Sequence, residues 1–516
     1  MSSFQDKIID YYGFSKEEAN DLFREPSFSY LPTLEDEEQA IIAKLRIKQA
    51  IKNKEKILIY GDYDCDGIMS SSIIFKSIIS LGGSSSIFIP SRYIDGYGIN
   101  TENATKISKA GYKLVILVDN GISANEQVKV LTDAKIDVII IDHHENNGDL
   151  PQNCIIIHPL TTKYKDLIYN VSAGYLSFMF STMLLEKVDD YLLTLGGLST
   201  LSDLMTLKEY NREIVRLALK NLNLYKYKEI MYLTSKTFID ENVLNSEVIP
   251  CINSIGRMDL EHKIRVLVYY FASSSESEKQ KYSSWMKKNN DERKEITKIA
   301  YDKVILDPFE PGICIISSLI EGLNGILSNR LMTENNKATI VFSPSKIDPE
   351  ILVGSMRSKK SFSCFIAFDK LSHYILRSGG HELAAGISIK KSDYPYFREE
   401  FMELCKKYPL DDEEKNYLDL SMNELTSSSY HTLRKFGPFG FGYKEPTFRI
   451  VDMPISYLRF SKDEKYVLTY LDNDVRLFSF SLGKRELINK QAETFIVKFT
   501  LNEYRGKFTI DILLSR

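Results

Sequence analysis

Three carboxylates, Asp62, Asp64 and Asp66, stand two residues apart where an apolar run ends, in ILIYGDYDCDG at 57–67. Folding alone gives no reason to crowd three like charges at the mouth of a buried strand, because each raises the pKa of the others. A divalent cation removes the conflict, and alternate spacing on extended backbone lets Asp62 and Asp64 point the same way. A single Asp here would read as a solvated turn capping the next helix. Three of them predict further ligands, and two more polar clusters follow. LVILVDNG at 114–121 ends in Asp119, and DVIIIDHHE at 137–145 ends in Asp142, His143 and His144. Two of the seven histidines are therefore adjacent, in phase with two acidic clusters. That pattern favours ligation over a structural role.

The elements that must position these groups are short and β-branched, joined by helix-like stretches near 68–81, 101–110 and 123–134. This is the sequence form of a parallel sheet built from α/β units. In such sheets ligands gather outside the carboxyl ends of the strands. All three clusters fall at strand C-termini, so one fold brings them together.

With these residues in hand, the chain resembles the DHH phosphoesterase superfamily and, within it, the RecJ-type single-strand-specific exonucleases. GDYDCDG at 61–67, VDNG at 118–121 and DHH at 142–144 match the first three motifs, and Asp203 in LGGLSTLSDLMTL matches the fourth. IPSRYIDGYGIN at 89–100 resembles the family's Arg-containing loop, and INSIGRM at 252–258 its Asn-x-x-Gly-Arg element. EGLNGILSNRL at 321–331, GSMRS at 354–358 and GGHELAAG at 379–386 resemble elements of the DHH-associated domain. GPFGFGYKEPTF at 437–448 and LNEYRGK at 501–507 resemble an OB-type domain. One departure is Leu319-Ile320, where the family usually has an aromatic-His pair.

The resemblance implies that Asp62, Asp64, Asp119, His143 and Asp203 hold two divalent cations. Carboxylates suit Mg²⁺ or Mn²⁺, and an imidazole tilts the choice towards Mn²⁺. Two such cations suit in-line phosphodiester hydrolysis. His144 would contact the scissile phosphate or the leaving group, and Asp142 would orient a histidine. Asp66 is expected either to support its loop or to cap the following helix, with capping favoured. By family analogy Arg92, Arg257, Ser355, Arg357, Gly379, Gly380 and His381 would read the 5′ end, since Arg grips two phosphate oxygens at once. Phe439, Phe441, Tyr443 and Tyr504 are candidate stacking residues on the path of the strand, and fit the core of the barrel equally well.

The expected fold is α/β. Residues 1–215 hold N-terminal helices and the parallel-sheet DHH domain, and 216–303 a helical connector. Residues 304–408 form a second α/β, DHH-associated domain, and 425–516 an OB-like β-barrel. The acidic DDEEK at 411–415 reads as a linker, and 285–303, which opens on the only tryptophan, as a solvated bridging helix. With 516 residues, 43% of them apolar, the chain can fill three or so cores. The six cysteines show no C-x-x-C spacing, which suggests a reducing compartment and no zinc site. There is no signal-like N-terminus and no apolar run of membrane-spanning length, so a cytoplasmic protein without membrane contact is expected.

A net charge of −4 is unusual for a nucleic-acid enzyme, but a metal cluster absorbs several carboxylates. Arg92, Arg257, Arg330, Arg357, Lys359 and Lys360 supply local positive charge, nearly all in Gly- or Ser-containing loops. Without a broad basic run, that charge fits a narrow single-strand channel better than a duplex-coating surface. The reading that follows is a monomeric 5′→3′ exonuclease in DNA repair and recombination. Its substrate would be single-stranded DNA with a free 5′ end, with a single-strand-binding protein and a helicase as partners. A small-substrate phosphodiesterase acting on oligoribonucleotides or cyclic dinucleotides is the alternative within the superfamily. A non-catalytic DNA-binding scaffold is the alternative outside enzymes.

Overall fold

The computed structural model describes residues 3–146, 148–162, 170–259, 261–272, 275–411, 416–487, 490–504 and 506–516. The linker expected at 411–415 lies, apart from Asp411, outside the described residues. The chain folds as two compact units. One comprises Pro32–Asp203 with Ala218–Glu413, the other Met1–Leu31 and Leu204–Leu217 with Glu414–Arg516.

In the first of these units, helix α1 (Glu38–Lys52) precedes a sheet of β1 (Ile57–Tyr60), β2 (Ser85–Phe88), β3 (Leu114–Val118), β4 (Asp137–Ile141) and β5 (Ile155–Ile157). The strand order is β2-β1-β3-β4-β5 and every pairing is parallel, with Ile57 beside Leu114 and Leu114 beside Asp137. Helices α2 (Cys65–Ser80), α3 (Thr101–Ser108) and α4 (Asn125–Asp133) connect the strands. Burial on both faces explains why β1 and β3 are continuous apolar runs rather than alternating ones. Each fully buried Ile or Leu is worth about 1.5–3 kcal/mol over an exposed one. That core fixes the strand ends even where they carry repelling charges. Helices α5 (Ala173–Leu185) and α6 (Asp190–Ser202) pack on α2, and all three carry small buried residues, among them Ser70, Ser177 and Ser199.

Helix α7 (Ile249–Met258) and the 27-residue helix α8 (Glu276–Asp302) lead to a second sheet. Ser275 and Glu278 close the start of α8 as a capping box, and the helix buries only Ser283, Met286, Asn290 and Thr297. A mostly solvated bridging helix was expected there. The second sheet holds β6 (Ile313–Ile316), β7 (Thr339–Pro344), β8 (Ile351–Arg357), β9 (Ile375–Gly380) and β10 (Ala384–Lys390) in the order β6-β7-β8-β10-β9. Alternation along β8 sends Leu352 and Met356 into a core with Phe342, Phe397 and Phe401. Val353, Ser355 and Arg357 are thereby left on the opposite face. Helices α9 (Asn324–Asn335), α10 (Cys364–Lys370) and α11 (Tyr394–Lys407) complete this half.

The other unit contains a sheet of β11 (Tyr417–Asp419), β12 (Thr447–Pro454), β13 (Val467–Tyr470), β14 (Val475–Ser479), β15 (Ala492–Tyr504) and β16 (Lys507–Ser515), in the order β11-β12-β15-β16-β14-β13. The helix Phe4–Tyr12 belongs here: Phe4 stacks on Phe448 at 5.8 Å and Lys7 pairs with Glu424 at 2.7 Å. The N-terminal helices, read together with the parallel-sheet domain in 1–215, thus divide between the two units, because amphipathic spacing says that a face is buried but not against what. The four aromatics that fitted either a stacking surface or the core divide evenly. Phe439 and Tyr443 are buried and stack on one another at 5.6 Å, whereas Phe441 and Tyr504 are exposed.

Candidate active site

The carboxylates gather at the C-terminal ends of β1, β3 and β4, three neighbouring strands. After β1 the chain turns so tightly that a Cβ on Gly67 would lie 2.5 Å from the Asp62 carbonyl oxygen, so only glycine fits. Asp64 caps α2 through the Gly67 N–H at 3.1 Å, and the Cys65 N–H donates to the Asn253 side chain at 2.8 Å. After β3, Asp119 adopts the left-handed region at φ 60°, which swings its carboxyl out of the strand direction. Asp203 follows directly on the end of α6.

Nε2 of His143 stands 3.4 Å from Asp119 Oδ1, 3.4 Å from Asp203 Oδ2 and 3.5 Å from Asp66 Oδ2. Three ligand groups lie within metal-binding reach: Asp62, Asp64 and Asp119; Asp119, His143 and His144; and Asp66, His143 and Asp203. Burial, then neighbouring carboxylates, push the Asp62, Asp119 and Asp203 carboxyls well above their ordinary range. Burial followed by the proximity of protonated His144 pushes His143 down to about 3, leaving it a neutral imidazole. Among the described residues, Asp62 Oδ1, Asp119 Oδ1 and His143 Nε2 are buried without a hydrogen-bond partner. Buried polar atoms are normally satisfied. Lone pairs of this kind, converging from carboxylates and a neutral imidazole, fit divalent cations.

Asp66 departs from its expected cap. Asp64 caps α2, whereas Asp66 caps a different helix: its carboxylate accepts the N–H groups of Ala173 at 3.0 Å and Gly174 at 2.8 Å, and the Ser199 hydroxyl. Burial, then Asp64, raises it to about 7, while the donors around it work the other way. Asp142 does orient a histidine. Its Oδ1 lies 2.8 Å from His144 Nδ1 and its Oδ2 accepts the Ile122 N–H at 3.0 Å. Burial works to raise Asp142, but the hydrogen bond to His144 and the His144 charge hold it well below the usual carboxylate range. Burial would lower His144, but the Asp142 hydrogen bond and charge lift it to about 9.

Asp142 and His144, at the edge of the cluster, share a cleft of about 930 Å³ with the second sheet. Arg92, His144, Asp142, Ser355, Arg357, Gly379, Gly380 and His381 line it. Strand register puts Ser355 beside Gly386, Gly386 beside Gly379, and Arg357 beside Ala384, so one face of the sheet forms the wall. The Arg357 guanidinium lies over Gly325, where a Cβ would stand 2.6 Å from Nη2. Arg257 is set back from the wall, its Nη1 3.4 Å from the Gly322 carbonyl, and the Tyr93 hydroxyl donates to its own carbonyl. Burial, then Arg92 and Arg357, lowers Arg257 to about 10. None of these three arginines forms an ion pair among the described residues, and Arg92 Nε lacks any partner. Arg330 and Lys359, by contrast, lie away from the cleft: Arg330 pairs with Glu334 at 2.8 Å, and Lys359 donates to the Asp411 carbonyl. Leu319, in place of the aromatic or histidine of the family pattern, is buried with Leu323 and Leu327.

Several residues escaped the sequence reading. Tyr97 donates to the Asp119 carbonyl at 3.1 Å and approaches both ring nitrogens of His144. His158 Nε2 lies 2.9 Å from the His144 carbonyl, and Asn253 holds the loop of the first motif. Tyr97 and Asn253 fell inside quoted motifs, but nothing in their spacing announced a contact so distant in sequence.

Two family models match the chain, the DHH family N-terminal domain over residues 56–195 and the RecJ OB domain over 418–516. The chain is 30% identical to the single-stranded-DNA-specific exonuclease RecJ of Bacillus subtilis over 417 residues, covering 77% of this chain and 52% of that protein. It is 24% identical to the protein of the same name from Thermus thermophilus over 454 residues, 86% of this chain and 65% of that one. The alignments thus span about half of the first relative's length and just under two thirds of the second's. The fold matches the crystal structure of Thermus thermophilus RecJ in complex with Mn²⁺ with a TM-score of 0.83 at 20% identity, over 99% of this chain and 75% of that one. Domain models at both ends, the relatives and the ligand cluster agree: the chain belongs to the DHH phosphoesterase superfamily, in its RecJ-type branch.

Proposed function

We propose that the chain hydrolyses single-stranded DNA from a free 5′ end, releasing 5′-mononucleotides. One observation carries the reading: a buried carboxylate-histidine cluster with unpaired lone pairs adjoins, through His144 and Asp142, a cleft lined by Arg92 and Arg357, which have no ion-pair partner among the described residues. Asp62, Asp64 and Asp119 would hold one divalent cation, and Asp119, His143 and Asp203 the other, Mn²⁺ or Mg²⁺. When bound, the pair supplies a nucleophilic hydroxide and neutralises charge on the phosphoryl oxygens. Ser355, Arg357 and the Gly379-Gly380-His381 turn would take a phosphate, with Arg92 and Arg257 adding positive potential behind it. His144, held by Asp142, would donate to the scissile phosphate or the leaving oxygen. Asp66 acts as a buttress of the loop.

The domain that matches the RecJ OB family model supports a long substrate, since a dinucleotide needs no track. No helix among the described residues is long and apolar enough to cross a membrane, and work on cellular DNA fits a cytoplasmic setting. Single-strand-binding protein and a helicase would supply the strand in repair and recombination. The test is Mn²⁺-dependent digestion of 5′- and 3′-labelled single strands, duplex DNA and RNA, with Asp119→Ala as control. Mononucleotides from the 5′ end of single strands, lost in the variant, support the reading. Cleavage confined to di- to pentanucleotides moves the enzyme to small substrates, and strand binding without cleavage makes it a scaffold.

A further inference from the structure

Phe365 is 55% exposed, yet it stands in the wall of the cleft rather than on an outer surface. It lies in the first turn of α10, capped by Ser363 through the Ile366 N–H at 3.3 Å. The helix already has its apolar anchor, because Cys364, Ala367 and Phe368 are buried in the core of the second sheet. Phe365 therefore adds nothing to that packing. Its position is fixed all the same: the Cys364 N–H donates to the Glu382 carbonyl at 2.7 Å and the Ser358 N–H to the Leu383 carbonyl at 3.0 Å. The first bond ties the start of α10, and the second the end of β8, to the turn that follows Gly379, Gly380 and His381.

The neighbouring wall is bare. Gly379 and Gly386 pair across β9 and β10, a Cβ on Gly379 would meet nothing within 4 Å, and one on Gly386 would meet only the Gly379 carbonyl, at 3.7 Å. Ser355 sits beside Gly386, and Arg357 beside Ala384. A phosphate grip, a floor without side chains and an exposed ring thus share one wall, which is what a nucleotide requires: charge for its phosphate, room for its sugar and a flat apolar face for its base.

We infer that Phe365 is the stacking platform for the base of the nucleotide whose phosphate Ser355 and Arg357 hold. This rests on the strand-hydrolysis reading above. A phenyl ring offers no hydrogen bond, so the subsite accepts any of the four bases, as digestion of arbitrary sequence demands.

The experiment compares wild type, Phe365→Ala and Phe365→Trp on 5′-phosphorylated strands whose terminal nucleotide is either normal or abasic, reading KM and kcat, with strand affinity by anisotropy in chelator. Phe365→Ala is expected to weaken binding and raise KM about tenfold with kcat nearly unchanged, and Phe365→Trp to restore both. Removing the terminal base should cost wild type about the same factor and Phe365→Ala little more. Equal sensitivity of wild type and Phe365→Ala to the abasic terminus, at equal thermal stability, overturns the assignment while leaving strand hydrolysis intact. A wild type that neither binds nor cuts strands overturns both.

Discussion

Oδ1 of Asp142 lies 2.8 Å from Nδ1 of His144, and its other oxygen is fixed by the Ile122 backbone, so the imidazole cannot turn without breaking a buried bond. Asp142→Asn keeps the shape but removes the charge that holds His144 protonated. Orienting partners of this kind are worth about 10–100-fold in activity. The expected result is a loss of that size in kcat with little change in KM, read by steady-state kinetics. A change confined to KM would assign His144 to ground-state binding instead.

Neutralising one member of a repelling cluster should stabilise the metal-free protein. Asp119→Asn is expected to raise its stability by at least about 1 kcal/mol, the worth of one pKa unit. The same variant should lose both Mn²⁺-dependent stabilisation and hydrolysis. Thermal melts with chelator and with Mn²⁺ separate the two effects.

The effect of cation on stability should depend on pH in a defined direction. Asp66 is raised to about 7, and Asp62, Asp119 and Asp203 are raised well above ordinary carboxyls, so the folded apo protein holds protons that the unfolded chain has released. Apo stability therefore falls as pH rises from about 4 through about 7. Cation binding displaces those protons and gains strength over the same interval. The Mn²⁺-induced rise in Tm is expected to be small near pH 5 and large near pH 8. A rise independent of pH would show that the ligands are ionised before metal binds.

The arginines of the cleft should act on affinity. Hydrogen bonds to charged groups contribute about 1.5–3 kcal/mol. Arg357→Ala is accordingly expected to raise KM for 5′-phosphorylated strands about 10–100-fold, and Arg357→Lys to recover part of it. A substrate with a 5′-hydroxyl should feel the change much less.

Asn253 gives a test of support from a distance. Asn253→Ala removes the acceptor for the Cys65 N–H, which costs about 1 kcal/mol. Loosening the turn between Asp62 and Gly67 should also weaken Mn²⁺ affinity, measured by calorimetry. Unchanged affinity would confine Asn253 to a purely structural part.

The ligand loops were legible because their chemistry is local: an apolar run, a carboxylate, a glycine. Their convergence was legible too, because parallel strands place all C-termini at one edge. The long bridging helix could be read from its polarity. Asp66 could not. Its two bonds from backbone N–H groups come from Ala173 and Gly174, more than a hundred residues away, and a capping residue carries no sign of which helix it serves. Phe439 and Tyr443 stayed open between stacking and core for a related reason, since aromatic spacing is the same whether rings face solvent or one another. Arg330 looked like the other loop arginines until Glu334, one helical turn on, claimed it.

The three aspartates of the first motif therefore carry unequal histories. As a metal ligand, Asp62 would matter only while there is a phosphodiester to cut, whereas Asp64 also caps α2 and Asp66 pins the start of α5 to the loop, so both are needed by any descendant that keeps the architecture. A lineage drifting from hydrolysis to mere strand binding would shed Asp62, Asp119 and His143 early and surrender Asp66 last. In such a relative, an aspartate at the third position followed by glycine would testify to ancestry and folding, and would say nothing about turnover.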